Sequence, residues 1–103
     1  MTATSSPELE PPLHVELTKP PSSRAHLADN MQMARTLLGW SQDELGRKCG
    51  LKRTYIGAIE RQEINPGIDN LDRIAAGMGI ASFMLILNPE QAQALMYKHF
   101  QKA

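Results

Sequence analysis

Apolar residues recur along this chain at helical spacing, and between the recurrences stand glycines, prolines and polar caps that cut it into short helices. Leu27, Met31, Ala34 and Leu38 follow the i, i+4, i+7, i+11 order of one helical face. They predict a first helix from about Arg24 or Ala25 to Leu38, ended by Gly39, with Trp40 laid over the turn. Ser41 and Glu44 have the spacing of a capping box, so a second helix starts there. Leu45 and Cys49 face inward on it. Gly46 lies on the same side and predicts close approach of a neighbouring helix, and Gly50 supplies the left-handed stop. A third helix covers about Arg53 to Arg61. Ile56 and Ile59 face the core, which leaves Lys52, Arg53, Thr54, Gly57, Ala58 and Arg61 to face outward. Glu63-Ile64-Asn65-Pro66-Gly67 has the chemistry of a loop. Ile68, Leu71, Ile74, Ala75 and Met78 then stripe a fourth helix closed by Gly79.

The run Ile80-Ala81-Ser82-Phe83-Met84-Leu85-Ile86-Leu87 is apolar almost throughout, and its periodicity does not separate a short buried helix from a strand. Its place after four helices favours a helix. Asn88-Pro89-Glu90-Gln91 opens a last helix, with Asn as cap and Pro in the first turn, and Ala92, Leu95, Met96, His99 and Phe100 share one of its faces. At the other end, residues 1–24 hold five prolines among Ser, Thr and Glu. Such a segment buries too little apolar surface to offset the entropy of ordering it, so a disordered, flexible tail is expected there. Leu13, Val15 and Leu17 add a short strand-like alternation. The expected organisation is a Pro-rich tail over 1–24, a helical domain over 25–87, and a C-terminal helix over 88–103 available for dimerisation or a partner.

A length of 103 residues suits one domain, and 42% apolar residues suffice for a small helical core. Only 5% are aromatic, which disfavours a β-sandwich or barrel. The formal net charge is zero, yet from Arg47 to Arg61 the cations Arg47, Lys48, Lys52, Arg53 and Arg61 face only Glu60. The positive field is confined to the second and third helices. A helix, a glycine turn and a second helix with basic residues on its open side is the sequence form of a DNA-binding helix-turn-helix.

Other chemistry is not signalled. Cys49 is the only cysteine, which rules out a disulfide within the chain, and it sits where a helix needs a small apolar residue. His14, His26 and His99 show no metal-ligand spacing, and no phosphate loop or nucleophile motif is present. Asp69 and Asp72 match the dipole of a helix start. Neither an enzyme nor a bound cofactor or metal is expected. No apolar run approaches the ~20 residues of a membrane span and no apolar leader opens the chain, so a soluble, cytoplasmic protein without membrane contact is the expectation.

The residues from about Leu27 to Leu85 resemble the Cro/repressor class of helix-turn-helix domains, the XRE family. Gly39-Trp40-Ser41-Gln42-x-x-Leu45, Gly50-Leu51, Tyr55-Ile56-x-x-Ile59-Glu60-Arg61, Asn65-Pro66 and Leu71-x-x-Ile74-Ala75-x-x-Met78-Gly79-Ile80 carry the resemblance. Arg53-Thr54-Tyr55-Ile56 with Ile59-Glu60-Arg61 looks especially like restriction–modification controller proteins. The stretch from Leu27 to Gln42 is also similar to antitoxin-type regulators. The class implies an all-α fold: a compact five-helix repressor-like domain, here with an extra C-terminal helix and the disordered N-terminal tail. It also implies a dimer on a two-fold symmetric operator in double-stranded DNA, with the third helix in the major groove.

Carried over position by position, the resemblance makes Lys52, Arg53, Thr54 and Ala58 base-reading residues. The Arg53 fork fits the O6 and N7 of guanine, worth ~1–3 kcal/mol of discrimination. Gln42 matches a glutamine that bonds phosphate and braces the recognition helix, and Arg61, on the same open side, is counted with it as a phosphate or positioning contact. Asn65 matches a phosphate clamp, and Tyr55 either touches phosphate or central base steps or packs at the domain edge. Arg35 and Glu60 match a structural ion pair. Three positions depart from the class: Lys52 stands where a hydroxyl cap is usual, Gln62 where glycine is frequent, and Ala81 where the fifth helix is usually capped. The expected function is a dimeric repressor or autoregulator. The alternatives are an antitoxin that also neutralises a toxin, and a protein-interaction module on the same fold.

Overall fold

A computed structural model of the chain describes residues 22–101. Residues 1–21, nearly all of the expected N-terminal tail, lie outside the described residues, as do 102–103. Six helices follow one another: α1 Ser23–Leu38, α2 Gln42–Cys49, α3 Arg53–Glu60, α4 Ile68–Met78, α5 Phe83–Ile86 and α6 Pro89–Gln101. The fold is all-helical, and no strand occurs among the described residues. The apolar run after Gly79 therefore resolves to a helix, with only Phe83–Ile86 in helical form.

Helix ends fall where the sequence punctuates them. α1 begins slightly earlier than its stripe implies, because the Ser22 hydroxyl accepts from the Ala25 N–H at 3.2 Å. The Ser41–Glu44 capping box is complete, with Glu44 N–H to Ser41 Oγ at 3.0 Å and Ser41 N–H to Glu44 Oε1 at 2.9 Å. Gly39, Gly50 and Gly79 take left-handed φ near 75° and stop α1, α2 and α4. α3 stops the same way without a glycine. Gln62 takes φ 61°, its N–H reaches Ile59 O at 2.9 Å, and the Glu63 N–H reaches Ala58 O at 2.9 Å. That is a complete Schellman turn on a residue with a side chain.

The core runs through the middle of the array. Met31, Ala34, Leu45, Ile56, Ile59, Ile74, Leu85, Ala92 and Met96 are fully buried, and Leu27, Cys49, Met78 and Met84 nearly so. α1 packs on α3, α5 and α6, while α2 packs on α3 and α4. α2 meets α4 at Gly77, where a Cβ would stand 2.9 Å from Cys49 Cβ. At Gly46 a Cβ would stand 2.5 Å from the carbonyl oxygen of Leu51. The glycine makes room chiefly for the turn backbone, and for the first residue of α3, whose nitrogen would stand 3.4 Å from such a Cβ. Two apolar stripes are also narrower than their spacing implies. Ile68, at the first turn of α4, is 75% exposed, and Leu95 and His99 on α6 are exposed too.

Asn30 holds the short fifth helix. It is fully buried in the α1 face that carries Leu27, Met31 and Ala34, and its Nδ2 donates to Leu85 O and Leu87 O, both at 2.9 Å. A four-residue helix leaves its last carbonyls without intrahelical partners, and Asn30 supplies the donor.

Candidate nucleic-acid interface

α2, the Gly50–Leu51 turn and α3 form one unit. The Leu51 N–H closes on Gly46 O at 2.9 Å, and the Ile56 N–H reaches Lys52 O at 3.1 Å, so α3 starts immediately after the turn. No side chain caps that start, because Lys52 holds the cap position and its side chain makes no capping bond. Lys52, Arg53 and Thr54 are all exposed there. No acidic residue stands in the first turn of α3, so the positive end of the helix dipole and two cations share one open surface.

The other cations of the basic stretch are engaged. Arg47 pairs with Asp43 one turn back on α2, and the Lys48 ammonium lies 5.4 Å from the centre of the Trp40 ring. Arg61 forks onto Glu63, Nε to Oε2 at 2.9 Å and Nη2 to Oε1 at 3.1 Å. Hydrogen bonding from Arg61 lowers the Glu63 pKa, and Glu63 raises that of Arg61. Among the described residues, Lys52 and Arg53 have no side-chain partner.

Behind this surface lies an ion-pair network that fixes α3 against α1 and α2. The Arg35 guanidinium bonds both Glu60 oxygens at 2.8 Å and donates to Trp40 O at 3.1 Å. The Gln42 amide adds a third donor to Glu60, Nε2 to Oε1 at 2.9 Å. The Glu60 hydrogen bond raises the Arg35 pKa against the opposing pull of burial. Gly57, expected to face outward, is buried beneath this arrangement: a Cβ there would stand 3.0 Å from Arg61 Nη1 and 3.3 Å from Gln42 Oε1. Gly57 lets the start of α2 and the end of α3 close over it.

The remaining candidates surround the open side of α3. Ala58 is half-buried one turn beyond Thr54 and, with Leu51, Lys52, Thr54, Tyr55, Ile64 and Asn70, lines an open groove of about 480 Å³. The Tyr55 hydroxyl accepts from Asn70 Nδ2 at 2.9 Å. Asn65 is exposed in the α3–α4 loop, beside Pro66 and Gly67.

With that geometry in hand, the chain can be set beside known proteins. Residues 31–83 match the helix-turn-helix family HTH_3, of XRE type. The chain belongs to this family. A Neisseria meningitidis protein described as a hypothetical transcription factor is 44% identical over 84 residues, covering 82% of this chain and 79% of that protein. A crystal structure of a hypothetical transcription factor from Neisseria matches with a TM-score of 0.67 at 44% identity, covering 72% of this chain and 85% of that one. The control protein C.SmaI of Serratia marcescens is 38% identical over 52 residues, covering 50% of this chain and 62% of its own.

As an HTH_3 member the chain is a DNA-binding transcription regulator, and the family is not enzymatic. Among the described residues no three His, Cys, Asp or Glu converge as metal ligands, and no helix is long and apolar enough to cross a membrane. His26 Nδ1 lies 3.3 Å from Ile86 O and His99 Nε2 lies 2.7 Å from Gly79 O, so both tie helices together. Sequence reasoning missed Asn30 and Asn70. The signal for Asn30 was its place one turn after Leu27 on a buried face. Asn70 sits next to Leu71 with nothing in its local pattern to mark it.

Proposed function

We propose that this HTH_3 protein is a dimeric, sequence-specific regulator that represses or autoregulates a promoter by inserting the amino end of α3 into the major groove. The observation that carries the reading is the pairing state of the basic stretch. Three of its cations are engaged, while Lys52 and Arg53 stand exposed on the uncapped, acid-free start of α3. A helix end with free N–H groups and unspent cations is complementary to acceptor-rich base edges and phosphates.

In this reading Arg53 pairs with a guanine, Lys52 and Thr54 contact neighbouring base edges, and Ala58 lies against a thymine methyl. Gln42 gives one amide hydrogen to Glu60 and keeps the other for a phosphate oxygen. Tyr55 and Asn65 flank it as further phosphate contacts, and Arg61 joins them by exchanging its Glu63 partner for a phosphate oxygen. Arg35 and Glu60 hold the helices in register and do not touch DNA. The likeness to C.SmaI, a control protein, supports a regulator's role.

Footprinting on the protein's own upstream region tests this. Protection of a two-fold site is expected, with affinity falling steeply as salt rises. Arg53→Ala should weaken binding and relax preference at one base pair of each half-site, whereas Gln42→Ala should weaken all sequences about equally. An Arg53→Ala protein that binds cognate and scrambled duplexes at wild-type strength removes the base-reading assignment.

A further inference from the structure

We infer that Asn70 on α4 is a positioning residue that makes the Tyr55 hydroxyl a donor to a DNA phosphate, and that the groove beside them seats the sugar–phosphate strand carrying it. The inference rests on the proposed DNA-binding face and assigns a role to a residue outside the helix-turn-helix unit.

A phenol has one hydrogen to give and two lone pairs to receive with. Asn70 Nδ2 donates into one lone pair at 2.9 Å. An amide NH2 accepts nothing, so it cannot take the phenol's own hydrogen. Among the described residues no other group accepts it. The half-buried ring therefore holds an unspent donor at the edge of the 480 Å³ groove. The groove's walls are apolar at Leu51, Ala58 and Ile64, with Thr54 and the Lys52 cation at its border.

One strand of duplex DNA fits each of those features. Phosphate oxygens are acceptors without hydrogens, which matches a donor that has lost its alternative partner. The deoxyribose face is apolar enough for Leu51 and Ile64. An amide held the other way round would present Oδ1 to the phenol and consume its hydrogen. Asn70 thus decides whether Tyr55 gives or withholds.

The test is a four-protein cycle on the full chain: wild type, Tyr55→Phe, Asn70→Asp, and the double variant, each titrated with the footprinted duplex. Asn70→Asp keeps the size but leaves only acceptors, so it reverses the polarity of the contact. Tyr55→Phe should lower affinity about ten- to a hundredfold, the worth of one hydrogen bond to a charged acceptor. Asn70→Asp adds a negative charge that costs affinity in both backgrounds, so the coupling is what counts. Its penalty should be about five- to tenfold larger with tyrosine present than with phenylalanine. Thermal melting of each variant reports any structural role separately, and the coupling should appear in DNA affinity without a matching change in melting. Tyr55→Phe should leave the salt slope unchanged, since a neutral donor displaces no counterion.

Equal penalties for Asn70→Asp in both backgrounds overturn the inference, as does a coupling that appears in melting but not in binding. A wild type that binds no duplex at low salt overturns the DNA-binding reading itself, which the cycle distinguishes from failure of the Asn70 assignment alone.

Discussion

Glu60 is the residue on which the geometry of α3 turns. Its side chain is only 3% exposed and receives three donors, two from Arg35 and one from Gln42. A carboxylate taken out of water that far is tolerable because both of its oxygens accept from the paired guanidinium and one also from Gln42. Arg35, at 18% side-chain exposure, is the only cation in the network. Arg35→Met keeps most of the volume and removes both the charge and the fork. It leaves Glu60 buried with one neutral donor, so stability should fall by about 3 kcal/mol. Urea unfolding of the purified protein measures that loss. Arg35→Met combined with Glu60→Leu should regain most of it, because the uncompensated charge is gone and an apolar pair fills the space. If the double variant is as unstable as the single one, the cost lies in packing rather than in the orphaned carboxylate.

At the scale of elements, the four longer chain reversals use one device, a left-handed residue after the helix, and three of them use glycine for it. α3 uses Gln62 at φ 61°. A side chain in the left-handed region costs roughly 1 kcal/mol relative to glycine, partly offset because glycine has more freedom to lose on folding. Gln62→Gly should therefore raise unfolding stability by about 0.5–1 kcal/mol with an unchanged dependence on denaturant. A fall would show that the glutamine side chain contributes more than its backbone strain costs. Helix starts and stops, and the apolar inward residues of α2 and α3, were legible in the sequence because caps and glycines act through nearest neighbours and apolar residues through their spacing. Gly57 was misread for the opposite reason: the Arg61 and Gln42 side chains fill the space over it, and the nearest neighbour of Gly46 is likewise a turn carbonyl, that of Leu51, ahead of the first residue of α3. Asn30 and Asn70 escaped for the same cause, since their partners lie 55 and 15 residues away. Periodicity gave Ile68 to the core, but a residue in the first helical turn can follow the stripe and still overhang solvent.

At the scale of the whole molecule, the question is what a single DNA-binding helix-turn-helix module can accomplish. One such module buries on the order of 600–1,000 Å² against DNA and reads only a few base pairs, too little to stand out from a genome of competing sites. Two copies on one operator multiply the selectivity, provided a surface joins them. The protein exposes several large apolar side chains, and Ile68 and Ile86 border a common cleft with Leu71. Ile68 is the sharpest probe of that surface. At 75% exposure in the first turn of α4, a glutamate in its place should be neutral or slightly favourable to an isolated domain, because it meets the positive end of the helix. At the seam of a dimer the same glutamate would bury a charge against apolar neighbours. On the proposed dimer, Ile68→Glu is expected to fold yet sediment as a monomer where the wild type sediments as a dimer, and to lose melting temperature only as far as association stabilises the wild type. The wild-type footprint should show half-sites centred about one helical turn, ~34 Å, apart or a multiple of that, and the variant should lose that paired protection. A wild type that is monomeric at micromolar concentration, or an Ile68→Glu protein that stays dimeric, would move the partner surface elsewhere. The exposed Leu95 on α6 would then be the next place to look.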